Sequence, residues 1–295
     1  MKTLYLDCGM GAAGDMLAGA LYDLLSEEQR AEFRNIAAAF SAVGLNVRCA
    51  AAEKCGIRGI HFAVEYMNTD ADEYAACIHE HEHLHEHEHC HEHEHCHEHE
   101  HNHEHEHEHA HEHCHEHEHS HEHEHHHSHS GLHEIEHIIR ALPVSDAVKE
   151  HSLAVYKLIA EAESHAHGVP VELVHFHEVG AVDSIVDIVA AAVCADSLNF
   201  DEVYIPQLNE GRGMVRCQHG LIPVPAVANI ITDHHLKLHI TNVDGELVTP
   251  TGAAIAAALR TSEQLPEQFV IEKVGIGAGK REYECVGVLR AMMIA

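Results

Sequence analysis

The stretch "KTLYLDCGMGAAGDMLAGALYDLL", residues 2–25, sets the fold class. Its first six residues read as a strand, Gly9, Gly11 and Gly14 read as a turn, and from Asp15 onward the apolar residues recur at helical spacing. A strand running through a glycine turn into an apolar helix is the opening of an α/β unit. One or two helices continue through "SEEQRAEFRNIAAAF", followed by extended segments near 45–52 and 57–66 joined around Gly56. Beyond residue 130, "DAVKEHSLAVYKLIAEAESHAHGVP" predicts a helix with Leu153, Tyr156 and Ile159 on its apolar face and a stop at Gly168 and Pro170. Strands are then expected at "VYIPQL", "GMVRC", "LKLHI", "FVIEKVG" and "VGVLRAMMIA", separated by apolar helices at 181–196 and 251–260. The expected architecture is α/β, a mixed sheet with packed helices. It divides as 1–78, the first part of the core, 79–130, a disordered His-rich insert, and 131–295, the rest of the core.

The insert has histidine at every odd position from His79 to His129, 27 in 51 residues, with 16 Glu and no Lys or Arg. Leu84, Cys90, Cys96, Asn102, Cys114 and Ser120 fall on a six-residue grid, with Glu108 at the remaining position, so the unit is a short duplicated repeat. Neither face of such a strand would be apolar, and nothing would offset the entropy of ordering it. Neutral imidazole is a good ligand for nickel, zinc and copper. His85, His87, His89, Cys90, His91, His93, His95 and Cys96 are representative metal ligands. A polar linker made by repeat expansion would have the same composition.

With 295 residues and 45% hydrophobic content the chain can bury a real core. Half of its net charge of −32 belongs to the insert, and the remainder is still acidic, which argues against nucleic acid and anionic membranes as partners and favours cations. No apolar run approaches the roughly 18 residues of a membrane span, and the amino terminus reaches an acidic turn too early for a signal peptide. A cytoplasmic protein with reduced thiols is expected.

Chemistry concentrates in "VHFHEVGAVDSIVDIVAA", residues 174–191. His175 and His177 alternate on an extended segment and point the same way, with Glu178 adjacent. Asp183 and Asp187, four apart, share one face of an otherwise apolar helix and repel each other unless a cation or donor lies between them. Two imidazoles and up to three carboxylates would then serve one divalent ion and leave room for water or substrate. A helix-start aspartate and surface histidines would explain the same residues without a ligand.

Gly9, Gly11 and Gly14 formally match a dinucleotide loop, but Asp7 and Asp15 would repel a pyrophosphate. These two carboxylates are better read as facing a metal or a metal-bound phosphate, or simply as flanking a tight turn. An anion fits "ELVTPTGAAIAAAL", where Thr249 can cap a helix with Pro250 at its first position and free N–H groups at Thr251 and Gly252. A well-capped helix alone is the alternative. Lys280 and Arg281, behind the glycines of "VGIGAGKRE", form a weak phosphate candidate that lacks the pattern of a Walker loop. Cys217 and His219 are further ligand candidates in "EGRGMVRCQHGLIPVPA", although a strand Cys is more often a small core residue.

Taken in order, "LDCGMGAAGDM", "HFHEVGAVDSIVDI", "RGMVRCQHGLIPVPA", "GELVTPTGAA" and "KVGIGAGKRE" resemble the nickel insertion proteins of the lactate racemase system, the LarC family, over nearly the whole chain outside the insert. The resemblance implies a nickel chelatase of lyase type. It would deliver Ni2+ to pyridinium-3,5-bisthiocarboxylic acid mononucleotide to make the nickel-pincer cofactor of lactate racemase. It also implies dependence on CTP with Mg2+ or Mn2+, handled by a carboxy-terminal domain expected to be absent here or encoded separately. Where the family tends to have Pro-Asn before Val-Leu-Arg, this sequence has Val286 and Gly287. The His-rich insert then reads as a nickel reservoir serving a site in the folded part. A non-enzymatic nickel store or chaperone is the competing reading, and a metallohydrolase built on His175, His177 and Asp183 is a third.

Overall fold

The computed structural model describes residues 2–43, 45–66, 131–174, 176, 182–212, 215–217, 220–222 and 225–295. The sequence-based insert at 79–130, with His85, His87, His89, Cys90, His91, His93, His95 and Cys96, lies outside them, as do His175, His177, Glu178 and His219.

The chain starts with β1 (Thr3–Asp7), then α1 (Gly14–Leu24) and α2 (Glu27–Ala39). The two helices are separate because Leu25 leaves the helical conformation and Ser26 begins a new one with a capping box: its hydroxyl accepts from Gln29 N at 3.2 Å, while Gln29 Oε1 accepts from Ser26 N at 2.9 Å. The hairpin of β2 (Leu45–Lys54) and β3 (Ile57–Tyr66) turns at Cys55 and Gly56, both with positive φ, 50° and 80°. After the insert come α3 (Leu132–Ala141) and α4 (Asp146–His167), the latter closed by Gly168 in the left-handed conformation at φ 66°. Then follow α5 (Val182–Leu198), β4 (Glu202–Tyr204), β5 (Leu208–Arg212), β6 (Val215–Cys217), β7 (Gly220–Ile222), α6 (Pro225–Asp233) and β8 (Leu238–Asp244). The last elements are α7 (Pro250–Leu259), β9 (Ile271–Ala278) and β10 (Val288–Ile294).

Six strands form one mixed sheet in the order β2-β3-β9-β10-β1-β4, parallel at β1/β4 and β3/β9 and antiparallel elsewhere. The expected α/β class with a mixed sheet is therefore the observed one. Two refinements have local causes. The segment "VYIPQL" divides into β4 and β5 because Pro206 has no N–H to give a ladder. Residues 225–233, not assigned to an element from sequence, form α6, whose nine residues are too few to display a period; packing of Ala226, Val227 and Ile230 mainly against α4 makes the helix.

Helix α1 is the central element, with every residue buried except Asp23. It lies on β3, β9 and β10 and has α5 against it, with α4, α6 and α7 completing the helical side. Such contact of a helix backbone with a strand needs glycine: a Cβ on Gly277 of β9 would fall on the Met16 carbonyl oxygen, and one on Gly275 on that of Ala20. The glycines of "VGIGAG", read from sequence as a weak phosphate loop, thus admit α1 to the sheet.

Candidate functional site

At the carboxyl end of β1 the chain turns through Gly11, whose φ of 100° is open to glycine and strained for other residues. Ala12 N donates to Leu247 O at 2.9 Å, and Thr249 N donates to Ala12 O at 3.0 Å, so the glycine turn is laced to the strand before α7. Gly252 completes this contact, because a Cβ there would fall on Ala12 O. The start of α1 and the start of α7 are thereby held side by side, with α5 alongside.

A cavity of about 240 Å³ opens where these elements meet the β9–β10 loop. Asp15, Asp183, Asp187, Thr249, Thr251, Lys280 and Arg281 all line it. Seven candidates from four separate stretches of sequence are therefore brought to one place, and Gly252 sits immediately behind, its N–H donating to Thr249 Oγ1 at 3.1 Å. Asp7 is not brought there: it forms an ion pair with Arg290 on the neighbouring strand, with Arg290 Nε donating at 3.0 Å, and accepts from Gly9 N at 3.0 Å. Cys217 lies in β6.

The carboxylates are in unusual surroundings. Asp15 is buried, with 7% of its surface exposed, and accepts from Met16 N at 2.9 Å and from Lys280 N at 3.2 Å. Burial raises its pKa despite the nearby Lys280 charge and these hydrogen bonds. Asp187 packs on the bare Cα of Gly14, where a Cβ would come within 2.9 Å of its Oδ2. Although Asp187 retains some accessible surface, its Oδ1 is fully occluded and has no hydrogen-bond partner among the described residues. Burial first, then the charge of Asp15 and, more weakly, that of Asp183, push the Asp187 pKa well above the carboxylate range, with Lys280 acting in the opposite direction. Tyr156, fully buried on α4, is pushed well above the ordinary phenol value by burial and by the charges of Asp183 and Asp187. Asp183 itself, half-buried, accepts from Ser184 N at 3.0 Å.

On the opposite wall Thr249 caps α7, with Pro250 at its first turn. Arg281 is bonded to Glu246, and Tyr283 donates its hydroxyl proton to Glu246 O at 2.6 Å. Burial works against the charge of Arg281, but the bonds to Tyr283 and Glu246 outweigh it and raise its pKa. Glu246 and Tyr283 were not singled out from the sequence. Their only signal is adjacency, Glu246 three residues before Thr249 and Tyr283 two after Arg281, and their pairing is a long-range contact.

Among the described residues no group of three or more His, Cys, Asp or Glu is arranged to hold a metal ion. They supply two close carboxylates and a third on the next turn of α5, which is part of a ligand set. None of the described helices is long and apolar enough to cross a membrane.

The family model described as nickel insertion protein matches residues 4–295. Several curated relatives carry the name pyridinium-3,5-bisthiocarboxylic acid mononucleotide nickel insertion protein. That of Alkaliphilus metalliredigens is 40% identical over 99% of this chain and 60% of its own length. The Clostridium acetobutylicum protein is 38% identical over 99% of this chain and 64% of its own length, and that of Akkermansia muciniphila 32% identical over 100% and 60%. The chain thus spans about three fifths of the length of these relatives. No solved structure gives a significant match. With the family model covering residues 4–295, from β1 to β10, the chain belongs to the nickel insertion protein family.

Proposed function

We propose that this chain takes part in inserting nickel into pyridinium-3,5-bisthiocarboxylic acid mononucleotide, the acceptor named for its relatives, giving the nickel-pincer cofactor used by lactate racemase. The observation that carries the reading is the occluded Oδ1 of Asp187, without a partner among the described residues, beside buried Asp15 in a cavity whose other wall holds Lys280 and the start of α7. An unbonded buried carboxylate oxygen is costly, and a divalent ion relieves that cost. Asp15, Asp183 and Asp187 would receive nickel together with His175, His177 and Glu178, which precede α5 in the chain. The N–H at Thr251, with Lys280, suits the single phosphate of a mononucleotide, whereas the Gly252 N–H expected to be free is taken by the Thr249 cap. Metallation of the ring carbon releases a proton, for which a carboxylate of this wall not engaged with the metal is a fitting acceptor.

CTP with Mg2+ or Mn2+ fits this cavity poorly. Its two lining cations face three aspartates, and one of them, Arg281, is already bonded to Glu246. Dependence on CTP, if this chain shares it, calls for a carboxy-terminal domain in the same chain or a separate one. The composition of the His-rich insert favours a second reading, a nickel store or chaperone without chemistry of its own.

Mixing the protein with nickel, CTP, Mg2+ and the acceptor, with a family carboxy-terminal domain supplied, and reading activation of apo lactate racemase tests the proposal. Asp187→Ala should abolish activation, while deletion of residues 79–129 should leave it intact in excess nickel. The opposite pattern would establish the storage reading.

A further inference from the structure

We infer that Tyr283 is the specificity-determining residue of the cavity, a platform that selects a flat, positively charged ring on the bound mononucleotide. The inference rests on the function proposed above and deepens it, since it concerns the ring of the acceptor and neither the metal nor the phosphate.

Tyr283 is the one aromatic side chain among the described residues lining the cavity. Its orientation is fixed at two places. Its hydroxyl donates to Glu246 O at 2.6 Å and receives Arg281 Nη1 at 3.4 Å. Its ring edge lies over Gly245, where a Cβ would stand only 2.5 Å from Cε1 and 3.0 Å from Cδ1. Gly245 also has a φ of 126°, so both the conformation and the space exclude a side chain there. Gly245 is not among the lining residues, so the backbone backs the ring from outside the cavity while the ring contributes to the lining. Glu246 Oε2 neutralises Arg281, and the cation that positions the phenol therefore does not dominate the field at the ring. The remainder of the lining carries Asp15, Asp183 and Asp187 against Lys280.

A rigid electron-rich ring in an acidic cavity treats ligands unequally. An uncharged ring gains contact area only, whereas a pyridinium gains the attraction of the ring quadrupole and of the carboxylates as well. A ring cation held by phosphate contacts at the start of α7 would also bring its edge towards the aspartates. The platform and the phosphate site then share one wall of the cavity and face the carboxylates across it.

The test compares nicotinamide mononucleotide, which carries a pyridinium cation, with its reduced dihydropyridine form, which has the same skeleton without the ring charge. Calorimetry on the full chain should show the oxidised form bound about tenfold more tightly, with a charge-transfer absorbance on the long-wavelength side of the pyridinium band. Tyr283→Leu should remove the band and cut the preference several-fold, to the part owed to the carboxylates, and leave binding of the reduced form nearly unchanged, a pattern that general loss of structure would not give. Tyr283→Phe, which keeps the ring, should retain most of the preference. Gly245→Ala, which displaces the ring, should cut it likewise, and this variant decides the matter should Tyr283→Leu fail to fold. A preference undiminished in both Tyr283→Leu and Gly245→Ala would overturn the inference and leave the proposed function standing. Failure of the unmodified protein to bind either form would overturn the proposed function together with it.

Discussion

The wall of the cavity formed by α1 and α5 and the wall formed by the β9–β10 loop and the start of α7 lie across about 240 Å³ of shared space, yet their polar groups are in opposite states. On the second wall the polar groups are matched: Thr249 caps Gly252 N, Arg281 is bonded to Glu246, and the Tyr283 hydroxyl is held by Glu246 O. On the first wall Asp187 keeps an occluded oxygen with no partner among the described residues, and Asp15 is buried beside it. The matched wall holds its capping and ion-pair bonds within itself and leaves Lys280 and the Thr251 N–H facing the cavity. The carboxylate wall stores an unfavourable charge that a cation would relieve, and the free energy released on binding is concentrated there.

The largest way to break this arrangement removes the platform both walls share. Gly277→Ala places a methyl group on the Met16 carbonyl and must push α1 off the sheet, at a cost of about 3 kcal/mol. Chemical denaturation should show that loss, and unchanged stability would mean that α1 does not sit as described.

Asp187→Asn sharpens the contrast between the walls. A carboxylate whose folded pKa lies above its unfolded value binds more protons when folded, so its contribution to stability falls as pH rises above about 4 towards the raised folded pKa. The difference in unfolding free energy between Asp187→Asn and the unmodified protein, without metal, should therefore grow in favour of the variant with pH, by at most about 1.4 kcal/mol per pH unit. A difference flat between pH 5 and 7.5 would show that Asp187 is not held in its protonated form. The same variant should lose the thermal stabilisation that Mg2+ gives through oxygen ligands.

On the matched wall Thr249→Ala should cost about 1 kcal/mol through the lost cap and weaken binding of a mononucleotide without altering the pH slope. A coincident change in slope would show that the walls are not independent. The smallest effect is expected outside both walls: Asp7→Asn breaks an ion pair with Arg290, whose side chain is 53% exposed, and should cost less than about 1 kcal/mol. Nickel insertion should be unaffected. A large loss of insertion would return Asp7 to the ligand set from which its pairing removes it.

Much of this site was legible because it is written in short motifs. Asp183 and Asp187 at helical spacing, the Thr249-Pro250 cap, and Lys280-Arg281 after a strand are local patterns, and each signals its chemistry without knowledge of its neighbours. Asp7 and Asp15 illustrate where that ends. Both flank the same glycine turn and read alike, but Asp7 closes β1, where Arg290 of β10 lies in register opposite it, while Asp15 is the second residue of a buried helix. Strand register is a long-range property, so a residue's sequence cannot reveal which cation it will face. The glycines of β9 show a related limit: glycine ahead of a basic pair suits a phosphate loop and close helix packing equally well, and it is the position of α1 that gives Gly275 and Gly277 their packing role.

The sequence by itself determined the α/β class, the boundaries of most elements and the types of group available for metal and phosphate, because periodicity, caps and turn residues act within a few positions of themselves. Only the tertiary structure decided that Asp15, Asp187, Thr249 and Lys280, drawn from four distant segments, share one cavity, and that Glu246 and Tyr283 complete it. Burial made the same decision about charge. An aspartate has an ordinary pKa on paper, and it becomes a protonatable, cation-seeking group when α1 and α5 close over it and exclude the water that would otherwise solvate its carboxylate.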